Sequence, residues 1–315
     1  MSAVGVFFCA VAAITVLFCA AVAYFYRMAF SRGFRFPYRE KNDEASRRAY
    51  AAREKMVAEL NALPSERLEI VSGDGKRLVA SFYPNGESKK ALIAIHGWRS
   101  SRGELAGQVL LLRQLGYAAL TPDLKAHGES EGKTIGFGWE DRLDILRWID
   151  ALRGRGYERI GLIGVSMGAA TVMMTCGEAL PPEVSWAVED CGYSGVKEQL
   201  LDTAGVFLKK APWLALPIVD AASVWCRLSR GFFLKRASCT EQLKKCAVPM
   251  LLIHGTADDF VPYRMLDINE RALSAPHRVL RVEGARHARS MYTDPALYRD
   301  TVAKFVNDVE NREEI

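Results

Sequence analysis

The sequence predicts an α/β protein: a mostly parallel central sheet with helices on both faces, a helical cap inserted late in the chain, and a transmembrane helix ahead of it all. Three observations lead there. From residue 91 onward, short apolar runs alternate with helix-patterned stretches, which is how parallel strands buried on both faces are written. About sixty residues separate the strand expected at 186–189 from the one at 249–253, too many for an ordinary connection. Ala3 to Tyr26 is an apolar run of 24 residues with no charged side chain, long enough to cross a bilayer as a helix.

The elements follow in order. Residues 1–26 read as the anchor, and Tyr24, Phe25 and Tyr26 at its end are the aromatics a membrane interface attracts. A signal peptide is the competing reading, with Ala21-Val22-Ala23 as a cleavage site and an extracellular product. It would want a basic start and a shorter apolar core, and neither is present. Residues 27–64 form a basic juxtamembrane segment and linker. Between Arg27 and Lys55 stand nine Lys/Arg against four acids, which accounts for the whole net charge of +5. The positive-inside rule then puts the large domain in the cytoplasm. Because the remaining charges balance, the basic pI gives no support for nucleic-acid binding. Asn42 to Leu63 reads as an amphipathic helix, with Ala49, Ala52, Met56, Leu60 and Leu63 on one face and Pro64 as its stop.

The main domain is expected over 65–311. It opens with a hairpin, 67–71 and 77–83, around Gly73-Asp74-Gly75. Strands follow at 91–95, 117–121, 160–163, 186–189, 249–253 and 278–282, with helices at 104–115, 139–153 and after 166, and a closing helix at 294–309. The cap, at about 192–246, is rich in apolar and aromatic residues, among them Val206, Phe207, Leu208, Trp213, Leu214, Leu216, Ile218, Val224, Trp225, Phe232 and Phe233. Lys209, Lys210, Asp220 and Arg227 argue against a second span there. Seven scattered cysteines without C-x-x-C form neither a disulfide framework nor a zinc site.

Chemistry concentrates at Gly164-Val165-Ser166-Met167-Gly168, a G-x-S-x-G set between a strand and a helix. A serine on so sharp a turn is pushed out above the sheet, over a helix N-terminus that favours developing negative charge. A packing turn would carry the same glycines. A working serine needs a base, and the base an orienting carboxylate. His254, His277 and His287 are the candidate bases. His287 stands in a glycine-bearing loop after the last strand, at the carboxyl edge where α/β sheets bind ligands, whereas His277 opens a strand. Asp258 and Asp259 are the candidate acids, with Asp190 as competitor; Asp123 precedes the serine and fits less well.

His96-Gly97-Trp98, the Asp123–Gly132 segment (D-x-x-x-H-G-x-S-x-G), Gly-Val-Ser-Met-Gly, His-Gly-x-x-Asp-x-x-Val-Pro and Gly-Ala-x-His-Ala occur in that order. Together, over residues 65–310, they resemble the α/β-hydrolase superfamily. More narrowly they look like bacterial membrane-anchored hydrolases of the serine aminopeptidase/prolyl-oligopeptidase-like branch. The resemblance implies an α/β-hydrolase fold with nucleophile Ser166, acid Asp258, base His287 and an oxyanion hole from the backbone N–H groups of Trp98 and Met167. It implies no metal and no organic cofactor. The expected activity is cleavage of a carboxylic ester with an apolar part through an acyl-enzyme. A peptidase using the same triad and a non-catalytic binding protein on this fold are the alternatives. Asp123, His127 and Ser130 are expected to shape a loop. Arg286 and Arg289 flank the base, and Arg99 and Arg102 follow His96-Gly97-Trp98. If these arginines converged on the cleft they would favour an anionic substrate; as solvated surface charges they would not.

Overall fold

The computed structural model describes residues 2–34, 43–209 and 211–311. The sheet has eight strands in the order β1-β2-β4-β3-β5-β6-β7-β8. β1 (Glu66–Val71) and β2 (Arg77–Tyr83) form the hairpin, and β2 pairs antiparallel with β4 (Ala118–Pro122). The other strands run parallel: β3 (Lys90–Ile95), β5 (Arg159–Val165), β6 (Val184–Asp190), β7 (Met250–Gly255) and β8 (His277–Val282). β3, β4 and β7 are buried along almost their whole length, which is why they read as unbroken apolar runs rather than alternating ones.

The helices are α1 (Ala3–Phe30), α2 (Glu44–Asn61), α3 (Ala106–Gln114), α4 (Asp141–Gly154), α5 (Met167–Cys176), α6 (Val196–Phe207), α7 (Ala215–Arg230), α8 (Cys239–Leu243), α9 (Arg264–Ala272), α10 (Ser290–Thr293) and α11 (Pro295–Asn311). They cover both faces of the sheet. One core joins α4, α5, α8 and α9 with the cap; the other joins α3, α10 and α11 with one face of α2. The cap is α6 and α7 with two short 3-10 turns, Pro212–Leu214 and Leu234–Arg236. α7 buries Ile218, Val219, Ala222 and Cys226, and Gly231 ends it in the left-handed region.

The structure departs from the sequence reading in three places. The expected closing helix is two helices, because Pro295 lacks an N–H and drives Asp294 out of the helical region (φ −134°, ψ 84°). α9, between β7 and β8, was not anticipated. The apolar N-terminal helix runs on to Phe30, past Tyr26, and its last turns are part of the domain: Val22, Phe25, Met28, Ala29 and Phe30 are buried. Of the basic juxtamembrane cluster, Arg35, Arg39 and Lys41 lie outside the described residues, as does Asn42.

The junction of β5 with α5 is the tightest part of the fold. A Cβ added at Gly168 would lie 1.9 Å from the carbonyl oxygen of Ile95 at the end of β3, and one at Gly164 would meet the Gly168 backbone at 2.2 Å. Glycine is therefore required here for close approach. We predict that Gly168→Ala lowers stability by about 3 kcal/mol, the upper range for overpacking. Gly205→Ala in the cap, where an added Cβ meets nothing within 4 Å, should instead stabilise by about 0.5–1 kcal/mol. Urea unfolding in a fixed detergent tests both; equal effects would refute the packing argument.

Candidate active site

Ser166 bridges the last residue of β5 and the first of α5 with φ 57° and ψ −117°, a conformation few L-residues adopt. Its N–H donates to the Asp190 carbonyl at the end of β6 (2.8 Å), and its carbonyl accepts from Ala170 N (3.0 Å). The turn is thus held from the sheet and from the helix at once. Met167 opens α5, so its N–H has no acceptor within the helix. The backbone at Gly97 comes close as well: a Cβ there would lie 3.4 Å from Ser166 Cβ.

His287 is carried by the loop after β8. That loop can sit against β7 because Gly255 has no side chain; a Cβ there would lie 2.2 Å from the Ala285 carbonyl oxygen. His287 Nε2 is 2.9 Å from Ser166 Oγ, and His287 Nδ1 is 2.8 Å from Asp258 Oδ2. Asp258, on the loop after β7, accepts at Oδ1 from the N–H groups of Phe260 and Val261, both at 2.9 Å. The five expected site residues therefore come together at the carboxyl edge of the sheet: Ser166, Asp258 and His287 in one hydrogen-bonded line, with Trp98 and Met167 beside the serine. Asp190 does not reach the imidazole; its carboxylate accepts from Ser290 Oγ at 3.2 Å. His277 bonds the Ala275 carbonyl near its own strand.

One partner escaped the sequence reading. His254, fully buried at the end of β7, sets its Nε2 3.3 Å from Asp258 Oδ2 and 3.1 Å from the Val261 carbonyl. Asp258 thus lies between two imidazoles. Burial alone would raise its pKa, but His287 and His254 together hold it well below the usual carboxylate range. For His254 burial acts to lower the pKa, and the Asp258 carboxylate outweighs it, so the imidazole is raised. Behind it lies Glu189 of β6, buried, accepting from Gly192 N at 2.9 Å. Burial pushes its pKa up to about 8. Among the described residues neither Glu189 Oε1 nor His254 Nδ1 has a hydrogen-bond partner.

Cys191 Sγ lies close to Asp258 and His287, in a group whose spacing would suit a metal ion. The donor chemistry fits poorly. Both imidazole nitrogens of His287 are engaged by Ser166 and Asp258, and burial holds the Cys191 thiol protonated.

The loop after β4 is built as expected. Asp123 accepts from Arg102 N and Glu129 N, both at 2.9 Å, and Ser130 Oγ donates to the Asp123 carbonyl. His96 and His127 brace the same region as neutral rings; their Nε2 atoms accept from Leu124 N and Arg99 N. Burial lowers their pKa values to about 3 and about 4. The four arginines do not converge on the cleft. Arg99 donates to the carbonyls of Met28 and Ser31 at the foot of α1. Arg102 pairs with Asp123 and Glu129, Arg286 with Asp43, and Arg289 stacks on Tyr50 of α2. Arg99, Arg286 and Arg289 tie the N-terminal segment to the domain, Arg102 stays within the loop after β4, and Arg289 lines a pocket that also contains His287.

Beside Ser166 opens a cavity that exposes almost only carbon. Its walls include Phe25, Met28 and Ala29 of α1, with Trp98, Phe137 and Phe260. The Tyr193 and Thr203 hydroxyls in the lining donate to protein carbonyls. The α1 contribution was not legible in the sequence, where residues 3–26 read only as a lipid-facing run.

A fold of this topology, with a strained serine between β5 and α5, defines a class. The chain belongs to the alpha/beta hydrolase family, whose model matches residues 92–301. It is 26% identical over 230 residues to the uncharacterized protein YqkD of Bacillus subtilis, covering 72% of this chain and 74% of that one. It is 24% identical over 274 residues to the non-heme chloroperoxidase CPO-A1 of Kitasatospora aureofaciens, covering 73% and 96%. Among solved structures, the Pyrococcus furiosus esterase Pf2001 superposes with a TM-score of 0.63 at 23% identity, over 79% of this chain and 94% of that one. Such distant structural likeness speaks to the fold.

The buried Glu189 gives a pH prediction. Its folded pKa is raised above its unfolded value, so the folded state holds a proton that the unfolded state releases between about pH 4.5 and 8. Stability from this group is present at low pH and lost as pH rises through that window. Glu189→Gln should flatten the fall in unfolding free energy across the window by about 1.4 kcal/mol per pH unit. Urea midpoints measured at pH 5, 6, 7 and 8 on both proteins check this; parallel curves would show that Glu189 is ionised in the fold.

Proposed function

We propose that this chain is a membrane-tethered serine hydrolase that cleaves carboxylic esters through an acyl-enzyme. The observation that carries the proposal is the unbroken line from Ser166 Oγ through His287 to Asp258 Oδ2, at 2.9 and 2.8 Å, on a strained turn above a helix N-terminus. In this reading residues 1–26 anchor the protein, 27–64 connect, and 65–311 form the hydrolase domain, with the basic flank favouring a cytoplasmic position.

Ser166 Oγ adds to the ester carbonyl carbon while its proton passes to His287 Nε2. The carbon–alkoxy bond then breaks, and that proton goes to the departing alkoxide as the acyl group stays on Ser166. A water adds to the acyl carbon and gives its proton to His287. Collapse returns that proton to Ser166 Oγ and frees the carboxylic acid. Asp258 fixes the imidazole tautomer and stabilises the imidazolium. The N–H groups of Met167 and Trp98 serve the tetrahedral oxygen, where losing one donor typically costs ~10²–10³ in rate.

The cavity favours esters over peptides. A peptidase that reads a chain terminus needs an opposite charge nearby; among the described residues no charged side chain lines the apolar cavity beside Ser166, and Glu104, which lines the adjoining pocket with Ser166 and His287, is engaged by the Gly97 N–H.

A fluorophosphonate probe tests the proposal. The full-length protein should label at a single serine, and Ser166→Ala and His287→Ala should abolish labelling. Asp258→Asn should retain the fold and lose about 10⁴ in kcat on a 4-nitrophenyl ester, the usual effect of a wrong tautomer. A wild-type protein that neither labels nor turns over short esters would falsify the enzyme reading. Normal turnover by Asp258→Asn would remove Asp258 from the mechanism.

A further inference from the structure

α1 divides into two parts by environment. From Ala3 to Ala21 no side chain is buried. At 1.5 Å per residue that stretch is about 28 Å long, close to the hydrocarbon thickness of a bilayer. From Val22 onward the helix packs into the domain. Its foot is held by named contacts: the Trp98 indole donates to the Ala29 carbonyl (3.1 Å), Arg99 to the Met28 carbonyl (2.7 Å), and Ile135 N to the Phe30 carbonyl (2.7 Å). Phe30 and Phe137 rings lie 4.9 Å apart. The helix that has the length and apolarity to cross the membrane is thus also one wall of the cavity beside Ser166, through Phe25, Met28 and Ala29.

The cap supplies the second observation. α7 packs against the foot of α1, with Tyr26 and Trp225 rings 6.0 Å apart and Tyr26 Oη 3.4 Å from Ser229 Oγ. Yet its outward side exposes large apolar residues, with Arg227 and Asp220 among them: Leu228 is 83% exposed, and Leu216, Val224 and Trp225 are about half exposed. Trp213, on the turn before α7, is 74% exposed, and Val206 on α6 is 51% exposed. A patch of this kind on a water-facing surface marks an interaction site. Its occupant follows from continuity. Trp225 adjoins Tyr26, little more than a turn beyond the exposed stretch of α1, so a bilayer holding Ala3–Ala21 also meets this side of the cap.

We propose that the apolar cavity is an acyl-chain site filled from the bilayer, and that the substrate is a long-chain carboxylic ester resident in the membrane. This rests on the serine-hydrolase reading above. The ester's chain leaves the lipid beside α1 and enters the space lined by Phe25 and Met28 of α1 and Leu200 of α6. Its carbonyl then comes to rest at Ser166. The chemistry is the acyl transfer already described; what is added is where the chain comes from and what holds it.

The experiment uses the full-length protein in phosphatidylcholine vesicles. 4-Nitrophenyl palmitate carried in those vesicles is compared with 4-nitrophenyl acetate supplied in water. The palmitate should be preferred, since the vesicle concentrates it beside α1 and the apolar cavity receives its chain without exposing methylenes to water. The palmitate-to-acetate ratio should fall at least about tenfold in Ala29→Trp, which fills the cavity, and in the double variant Trp225→Asp/Leu228→Asp, which puts charge against the lipid. Turnover of acetate with no turnover of vesicle-borne palmitate by wild type would overturn this inference and leave the serine-hydrolase reading standing. An unchanged ratio in both variants would overturn it too. Absence of turnover on both esters, with no fluorophosphonate labelling, would sink both readings together. Should Ala29→Trp lose acetate turnover through misfolding, Met28→Ala supplies the opposite change: a widened cavity, with the ratio shifted toward longer chains.

Discussion

The backbone of Ser166 is the constraint from which the rest of the site follows. A non-glycine residue at φ 57°, ψ −117° is unfavourable by itself and persists only when its surroundings over-determine it. Here they do. Ile95 at the end of β3 presses on the start of α5, Asp190 at the end of β6 takes the Ser166 N–H, and α5 begins at the very next residue. Three parallel strands must therefore end at one level, and the loops that follow them must turn away at once. Those loops carry Trp98, Cys191 and, one strand further on, Asp258. The eight-stranded order is what brings β3, β5, β6 and β7 side by side at that edge.

The electrostatics of the site obey the same geometry. A carboxylate as buried as Asp258 is stable only with donors around it. It has four: two backbone N–H groups on its own loop, His287 in front and His254 behind. His254 in turn stands between Asp258 and Glu189. Two buried carboxyl groups near one imidazole cannot both ionise freely, and their environments separate them. Asp258 has the donors and stays charged, while Glu189 has one and is pushed toward its neutral form. The charge is thereby placed next to His287, where an imidazolium would need it.

Much of this was legible in the sequence, for identifiable reasons. Strands buried on both faces must be apolar, so 91–95 and 249–253 announced themselves. G-x-S-x-G could be read because only glycine fits beside the turn. His287 and Asp258 could be placed because each follows a strand, at the edge where ligands bind. What stayed hidden depended on contacts between distant segments. His254 looks like a strand-end residue until the loop after β7 folds back and lays Asp258 against it. α9 carries mostly polar residues and buries only Met265, Leu266 and Asn269, too few for a clear period. Arg99, Arg286 and Arg289 look like surface charge near a cleft; their partners lie in α1, at Asp43 and in α2, 71 to 243 residues away.

The N-terminal segment was the least legible part and has the largest consequence for the site. An apolar run of this length says only that it prefers lipid, and nothing in Val22-Ala23-Tyr24-Phe25 says which side meets protein. In the fold α1 and α2 lie against different parts of the same site. α1 walls the apolar cavity, and α2 lies against the loop that holds His287, through Tyr50 and Arg289. Removing residues 1–34 would open one side of the cavity to water. The Trp98 indole would lose the Ala29 carbonyl, and Phe137 would lose Phe30. An acyl chain in that space would then be held by the cap with Trp98, Phe137 and Phe260, and the α1 share of the apolar burial would be gone. In the tethered enzyme proposed here one helix performs both tasks with different residues: Ala3–Ala21 hold the membrane, and Phe25, Met28 and Ala29 wall the acyl-chain site.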